Sequence, residues 1–128
     1  MQTLLAVVID DNPIMTELTC DICESNNYKT RAFRSAADAL AEIETIRPDL
    51  IVMDLYMPGM TGNEFIRRFS SLPDAVRVTP IIVLTGDPDA EDNMDPISKS
   101  LNVRVFIKPY GLNHLADYLR EAAHPIAS

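Results

Sequence analysis

The chain has 128 residues, a hydrophobic content of 47% and a formal net charge of -8, which fits one soluble globular domain with its own core. The acidic charge disfavours a nucleic-acid partner, because binding to a phosphate backbone needs a basic surface. No basic signal-peptide region follows Met1 and no apolar run is long enough to span a bilayer, so we expect a cytoplasmic protein without a membrane partner.

The first strand and helix signals follow one another directly. Residues Leu4–Ile9 form an apolar run of strand length. Pro13 then suits the first turn of a helix, and Asn12 stands where it can cap that helix. The apolar residues of this helix recur every four positions and predict its inner face: Ile14, Leu18 and Ile22. A shorter and weaker strand is predicted over residues 29–33.

A second helix and a third strand occupy the middle of the chain. Ser35 is predicted to cap the helix. Its inner face comprises four apolar residues: Ala36, Ala39, Leu40 and Ile43. Pro48 then breaks the chain, and residues 49–54, "DLIVMD", predict a strand that ends in a carboxylate. After a loop, Thr61 and Glu64 have the spacing of a capping box. The third helix that they begin carries Phe65, Ile66 and Phe69.

Two further strands and a last helix complete the pattern. The strands are predicted over residues 81–86 and Val103–Ile107. The helix has apolar residues at core spacing: Leu112, Leu115, Ala116 and Leu119. The acidic segment between the two strands is the least regular part of the chain. Because Pro96 would interrupt a continuous helix there, we predict either a short helix that begins near Pro96, with Asp95 as its N-cap, or a partly unwound segment.

Strands that are apolar along their whole length and alternate with helices predict a parallel sheet covered on both faces, an α/β sandwich of three layers. In such sheets, ligands bind beyond the carboxyl ends of the strands. The side chains expected at that edge are Asp10, Asp11, Asp54, Thr85 and Lys108. Each one alone has a structural explanation, as a helix cap, a strand threonine or a solvated lysine, but their common edge favours a functional site.

The chemistry of these side chains suits phosphoryl transfer. Mg²⁺ prefers oxygen ligands and would hold the carboxylates ionised, and Lys108 adds a second positive charge. Asp54 is a candidate nucleophile toward phosphorus, since carboxylates form aspartyl phosphates. The metal and the lysine would offset the charge on the transferring oxygens, and Thr85 would hydrogen-bond the bound phosphoryl group.

A second motif is the CxxC pair formed by Cys20 and Cys23. A redox pair belongs at a helix N-terminus, where the thiolate is stabilised, and a structural zinc site needs further ligands. This pair lies well inside the first predicted helix, and the sequence contains no other cysteine. We therefore interpret both cysteines as small apolar residues of a helix.

Four motifs in fixed order give the chain a resemblance to a known family. They are "VVIDDNP", "IVMDLYMPGMTG", "IIVLTG" and "VFIKP". Across nearly its whole length, the chain resembles the response regulator receiver domain, the phosphoacceptor module of two-component signalling. The resemblance implies a flavodoxin-like (βα)5 fold with strand order 2-1-3-4-5. It also implies that Asp54 accepts a phosphoryl group from a phosphohistidine on a sensor histidine kinase or a histidine phosphotransfer protein. The domain would then switch conformation to control a downstream protein.

The same resemblance implies roles for individual residues at the sheet edge. Asp11, Asp54 and the backbone carbonyl of Tyr56 would ligate Mg²⁺. Asp10 would act mainly through a metal-bound water, and Lys108 would pair with the phosphoryl group.

Several positions tune or depart from the family pattern. Tyr56 and Asp87 occupy the two positions that govern the lifetime of the phosphoryl group in the family. We hypothesise that the Tyr56 ring shields the acyl phosphate from water, whereas Asp87 would orient a water, so the net rate of dephosphorylation stays open.

In the family, an aromatic residue follows the movement of the switch residue, here Thr85. Val105 stands at that aromatic position, and strand alternation directs Phe106 to the other side of the sheet, so we expect an altered readout.

Two other functions compete with this one. A phosphohydrolase of the haloacid dehalogenase type also uses an aspartyl nucleophile and Mg²⁺, but it needs a second Asp where this chain has Tyr56, and its lid domain has no room here. A binding module that has lost phosphorylation control would not need the acid cluster, although Val105 leaves loss of the readout open.

We expect a single receiver domain over residues 1–128 without an effector domain. We expect a monomer or weak dimer, and no enzymatic activity beyond weak self-phosphorylation and autodephosphorylation.

Overall fold

Five strands alternate with helices in the computed structural model of the protein, which describes residues 3–107 and 111–123. The strands are β1 Leu4–Ile9, β2 Tyr28–Phe33, β3 Leu50–Met53, β4 Ile81–Thr85 and β5 Val103–Ile107. The helices are α1 Pro13–Glu24, α2 Ala36–Ile46, α3 Gly62–Phe69, α4 Asp74–Arg77, α5 Ala90–Asn93 and α6 Gly111–Ala123, with a 3-10 helix Pro96–Ser100 after α5. None of the helices in these two ranges has the length and apolar character needed to cross a membrane.

All neighbouring strands pair in parallel, in the order β2-β1-β3-β4-β5, which confirms the predicted topology. The central strands β3 and β4 are buried along their whole length, as expected for a sheet covered on both faces. Apolar side chains of α2 and α3 pack on one face of the sheet, and those of α1 and α6 pack on the other. The predicted α/β sandwich of three layers is therefore confirmed.

The register of the central strands determines which residues share an edge of the sheet. Ile9 of β1 pairs with Met53 of β3, and Met53 pairs with Val83 of β4. On the far side of β4, Thr85 pairs with Ile107 of β5. The residues that follow β1 and β3, and the last residue of β4, therefore lie at the carboxyl edge of the sheet.

Three helix N-caps predicted from the sequence are present. Oδ1 of Asn12 accepts from the backbone N–H groups of Ile14 and Met15. The hydroxyls of Ser35 and Thr61 each accept from the N–H three residues along the chain. These bonds satisfy donors that have no partner within the helix. They determine where α1, α2 and α3 begin.

The predicted inner face of α1 is wrong. Ile14 is 68% exposed and Leu18 is 43% exposed, whereas Thr19 and Cys23 are buried. Residues four apart drift by about 40° around a helix of 3.6 residues per turn, so Ile14 has turned away from the face on which Ile22 meets the core. The predicted inner faces of the other helices are confirmed by their buried residues: Ala36, Ala39, Ile43, Phe65, Ile66, Phe69, Leu115 and Leu119.

Two short helices, α5 and the 3-10 helix, replace a single long helix between β4 and β5. The 3-10 helix begins at Pro96, and Oδ1 of Asp95 accepts from the Ile97 N–H at 3.0 Å. The predicted short helix with an Asp95 cap is thus confirmed. The sequence does not predict α4 or α5, because helices of four residues are too short to show an apolar period.

Candidate functional site

Two carboxylates of the site directly follow neighbouring strands, β1 and β3. The Asp10 N–H donates to the Phe33 carbonyl at 3.1 Å, so the pairing of β1 with β2 continues past the strand end. The Asp54 N–H donates to the Ile9 carbonyl at 3.2 Å and continues the pairing of β3 with β1. Asp10 is only 6% exposed, and its Oδ1 accepts from the Asn12 N–H at 2.9 Å. That local bond turns the chain from β1 toward α1.

The loop after β3 is closed by short-range contacts. Oδ1 of Asp54 accepts from the Tyr56 N–H at 3.2 Å, and the Gly62 N–H donates to the Leu55 carbonyl at 2.8 Å. A Cβ atom at position 62 would lie 2.8 Å from the Leu55 Cα, closer than real Cβ atoms approach backbone. Glycine therefore lets α3 begin directly against the loop that carries Tyr56.

Thr85 reaches the same edge from β4. It is 1% exposed, and its Oγ1 accepts from the Asp87 N–H at 3.3 Å. Asp11 is exposed and follows Asp10 in the chain. Lys108 comes directly after Ile107, but it lies outside the described residues, so its place beside the phosphoryl group stays a prediction.

Tyr56 and Asp87, the two residues expected to set phosphoryl lifetime, are in direct contact. The Tyr56 hydroxyl donates to Oδ2 of Asp87 at 2.5 Å across a separation of 31 residues. Nδ2 of Asn93 donates to the same carboxylate oxygen at 2.9 Å and to the Tyr56 hydroxyl oxygen at 3.3 Å. The other carboxylate oxygen, Oδ1 of Asp87, accepts from the Asp89 N–H at 2.9 Å. Tyr56, Asp87 and Asn93 together are called the lifetime cluster below.

The hydrogen bonds of the lifetime cluster shift two ionisations in opposite directions. The bond to the Asp87 carboxylate raises the pKa of Tyr56, because an ionised phenol would lose its donor and face a like charge. The Tyr56 hydroxyl and the Asn93 amide lower the pKa of Asp87, because both donate to its ionised form. The cluster is therefore most favourable with a neutral phenol and an ionised carboxylate, which is the state at neutral pH.

Helix α3 anchors the segment that carries Asn93. Nδ2 of Asn63 donates to the Asn93 carbonyl at 2.8 Å, and Oδ1 of Asn63 accepts from the Asp95 N–H at 2.9 Å. Arg67 adds an ion pair to Asp95, with 2.6 Å between Nη2 and Oδ2. No local sequence signal marks Asn63, Arg67 or Asn93, because their contacts join two helices that are distant in the chain.

Val105 and Phe106 lie on opposite faces of the sheet, as strand alternation predicts. Val105 packs against the core formed with α2 and α3. Phe106 packs against the core formed with α1 and α6, with its ring centroid 5.7 Å from His114 and 6.2 Å from Tyr118. The position at which the family usually has an aromatic residue therefore carries the small aliphatic side chain of Val105.

The oxygen donors at the carboxyl edge suit a hard divalent cation. Asp10 and Asp54 directly follow adjacent strands, and the next residue after Asp10, Asp11, is exposed. Within residues 3–107 and 111–123, no group of three or more His, Cys, Asp or Glu side chains is close enough to hold a metal ion. A bound metal would therefore combine one or two carboxylates with a backbone carbonyl, water or phosphoryl oxygens. Mg²⁺ commonly accepts this kind of ligation.

Comparison with known proteins decides the family. Residues 6–120 match the family model of the response regulator receiver domain. The chain belongs to this family. Receiver domains are the signalling phosphoacceptors of two-component systems, they generally use Mg²⁺, and they interact with histidine kinases and phosphotransfer proteins. The function predicted from the four motifs is thereby confirmed at the level of the family.

Relatives of this receiver domain differ in how much of their length it covers. Sporulation initiation phosphotransferase F of Bacillus subtilis is 25% identical over 118 residues, which make up 90% of either chain. The DNA-binding response regulator MtrA of Mycolicibacterium smegmatis is 30% identical over 86 residues, 67% of this chain but only 36% of MtrA. The receiver domain thus spans about a third of that longer relative. The crystal structure of a response regulator receiver protein from Pseudomonas putida superposes with a TM-score of 0.77 at 25% identity, covering 94% of this chain and 98% of that one.

The CxxC pair of this receiver domain is part of α1, as predicted. Cys23 is fully buried and Cys20 is half-buried, and both are free thiols. Burial raises the pKa of Cys23 to about 12 and also raises the pKa of Cys20. Because a reactive cysteine needs a lowered pKa, these thiols are structural residues.

Proposed function

We propose that Asp54 is the phosphoacceptor of this receiver domain. The observation that supports this assignment is its position, half-buried directly after β3, between β1, which Asp10 follows, and β4, which ends at Thr85. In the proposed step, a carboxylate oxygen of Asp54 attacks the phosphorus of a phosphohistidine and the nitrogen–phosphorus bond breaks. The histidine nitrogen takes up one proton. The donor is a sensor histidine kinase or a histidine phosphotransfer protein.

We assign the Mg²⁺ site to Asp10, Asp11, Asp54 and the backbone carbonyl of Tyr56, with Asp10 acting through a water. When bound, Mg²⁺ supplies positive charge that offsets the charge on the phosphoryl oxygens. The exposure of Asp11 gives it access to a hydrated ion, while the Asn12 N–H already holds one carboxylate oxygen of Asp10. Lys108 is proposed to pair with the phosphoryl group.

Thr85 is the proposed switch residue. Its Oγ1 accepts from the Asp87 N–H, which leaves the hydroxyl proton as a donor for the phosphoryl group. Movement of Thr85 toward the phosphoryl group lengthens its contact with Asp87. Phosphorylation then favours one of two conformations, because the phosphoryl group makes contacts in only one of them. Since Val105 replaces the usual aromatic residue, the proposed readout begins at Asp87.

The proposed role is that of a signalling module rather than an enzyme with its own substrate. Its chemistry is limited to phosphoryl acceptance, including weak self-phosphorylation from small donors, and autodephosphorylation. A protein is the proposed downstream partner, because a net charge of -8 opposes binding to nucleic acid. The free thiols Cys20 and Cys23 suit a reducing compartment, which supports the cytoplasm as the proposed location.

Phosphorylation by a small donor tests the assignment of Asp54. The protein is incubated with acetyl phosphate and Mg²⁺, and its intact mass is measured beside Asp54→Asn and a sample without Mg²⁺. We expect one added phosphoryl group on the wild-type protein and none on the other two samples. Asp21→Asn is the matched control, because Asp21 is an exposed aspartate of α1, and it is expected to accept the group like the wild type.

Two results would contradict the proposal. Undiminished phosphorylation of Asp54→Asn would place the acceptor on another residue. No adduct on the wild-type protein, together with no binding of a fluoroberyllate analogue, would leave a binding module that uses the fold without a phosphorylation switch.

A further inference from the structure

We infer that Asn93 is a positioning residue for the hydrolysis of the aspartyl phosphate, which it slows by holding Asp87 and Tyr56 in place. This inference rests on the proposed function of Asp54. The resemblance to the family assigns control of phosphoryl lifetime to the positions of Tyr56 and Asp87. The structure adds a third side chain, because the amide of Asn93 donates to both of the others.

The first step of the argument is the hydrogen bonding of the Asp87 carboxylate. Oδ2 accepts from the Tyr56 hydroxyl and from Asn93 Nδ2, while Oδ1 accepts from the Asp89 N–H. A carboxylate offers about four acceptor positions, two on each oxygen. Both positions on Oδ2 are therefore filled by protein donors. Asp87 is poorly disposed to orient a hydrolytic water through that oxygen while Asn93 is in place.

The second step concerns the Tyr56 ring. Tyr56 is 52% exposed and stands two residues after Asp54, and its hydroxyl is the part of the side chain that hydrogen bonds hold in place. The hydroxyl is bonded to Asp87 and lies 3.3 Å from Asn93 Nδ2. Because Asn93 contacts both partners of the Tyr56–Asp87 bond, its loss weakens the orientation of the whole cluster.

The third step is that Asn93 itself is well anchored. It is the last residue of α5, and its carbonyl accepts from Nδ2 of Asn63 on α3 at 2.8 Å. Ala90, at the start of the same helix, is fully buried. The Asn93 side chain is exposed, and its backbone is held independently by Asn63. Truncation of the side chain is therefore expected to leave the fold in place and to remove only the amide from the lifetime cluster.

The reaction that Asn93 slows is hydrolysis of the phosphorylated Asp54. A water oxygen adds to phosphorus, and the bond between phosphorus and the Asp54 carboxylate oxygen breaks. The free carboxylate is regenerated, and both protons of the water leave on dihydrogen phosphate. Asn93→Ala opens an acceptor position on Oδ2 of Asp87 for this water and frees the Tyr56 ring to move. We expect a decay rate about fivefold higher, which equals about 1 kcal/mol of activation free energy.

The experiment measures decay of the phosphorylated protein. Wild type and variants are phosphorylated with acetyl phosphate and Mg²⁺, the donor is removed, and the phosphorylated fraction is followed by intact mass. Asn93→Ala and the isosteric Asn93→Asp, which replaces the donor by a like charge beside Asp87, are both expected to decay faster. Asn102→Ala is the matched control, because Asn102 is exposed at the opposite edge of the sheet, and it should decay at the wild-type rate.

A double mutant separates positioning from a loss of structure. If Asn93 acts through Asp87, then Asn93→Ala accelerates decay much less in an Asp87→Ala background than in the wild type. Equal acceleration in both backgrounds, or unchanged decay in Asn93→Ala and Asn93→Asp, would overturn the positioning role. Both results presuppose a phosphorylated wild type. Failure of the wild type to take up the phosphoryl group would instead overturn the proposed function, and the role of Asn93 with it.

Discussion

The Tyr56 side chain combines two features that substitution can separate. Its hydroxyl donates to Asp87, and its ring belongs to the loop whose first residue is Asp54. An aromatic ring beside an acyl phosphate excludes water from the line of attack, but only while the ring keeps its orientation. We propose that the hydroxyl provides that orientation, so that anchoring and shielding are parts of one effect at this residue.

Two substitutions at Tyr56 resolve these contributions. Tyr56→Phe keeps the ring and loses the anchor, whereas Tyr56→Ala loses both. We expect the aspartyl phosphate to decay faster in Tyr56→Phe than in the wild type, and fastest in Tyr56→Ala. Intact mass after donor removal gives the rates, and Tyr28→Phe, at the start of β2, is the matched control. If Tyr56→Ala decays at the wild-type rate, the ring does not shield the phosphoryl group.

The junction between the β3 loop and α3 shows how an element is adjusted to the site. Gly62 is the first residue of α3, and its N–H donates to the carbonyl of Leu55. Alanine in the interior of a helix normally stabilises it by about 0.5–1 kcal/mol relative to glycine. Here the added Cβ would meet the Leu55 Cα at 2.8 Å and its carbonyl oxygen at 2.9 Å. Both contacts are to backbone, which moves less readily than a side chain, so the steric cost dominates.

Gly62→Ala is therefore expected to destabilise the domain. Overpacking of this kind costs about 1–3 kcal/mol, which a lower midpoint in urea unfolding would report. Gly86→Ala is the matched control, since a Cβ there meets nothing within 4 Å among the described residues and the backbone is not in the left-handed region. If the urea midpoint of Gly62→Ala equals or exceeds the wild-type value, the loop after β3 can shift to make room for the Cβ atom. The close approach of residue 62 to the Leu55 backbone would then not constrain that loop.

Elements were predictable wherever the signal was local. The run Leu4–Ile9 and the caps Asn12 and Thr61 depend on neighbouring residues, and the structure confirms them. The prediction of the inner face of α1 was wrong, because the four-residue spacing that starts at Ile14 does not show which side of the helix meets the sheet. Two members of the lifetime cluster, Tyr56 and Asp87, were predicted from the sequence, but Asn93 was not. Their contacts with Asn93 form only when the β3 loop and α5 are brought together by the tertiary fold.

At the scale of the whole molecule, the parallel topology concentrates negative charge. The strand order brings Asp10 and Asp54 to adjacent positions at one edge, and Asp11 follows Asp10 in a chain whose net charge is -8. Gathering like charges opposes the compact state. This electrostatic cost accompanies the assembly of the proposed site for a cation and a phosphoryl group.

Mg²⁺ is accordingly expected to stabilise the entire domain. A ligand that binds only the folded chain adds about 2.7 kcal/mol at a free concentration 100 times its Kd, so thermal unfolding should shift to higher temperature when Mg²⁺ replaces a chelator. Asp11→Asn removes one proposed ligand and one negative charge. It should raise the unfolding temperature in the chelator and reduce the shift caused by Mg²⁺, whereas Asp21→Asn should keep the full shift. Relief of charge repulsion acts on the unfolding temperature in the chelator, whereas loss of a ligand acts on the shift caused by Mg²⁺. A shift in Asp11→Asn as large as in the wild type would therefore remove Asp11 from the proposed site.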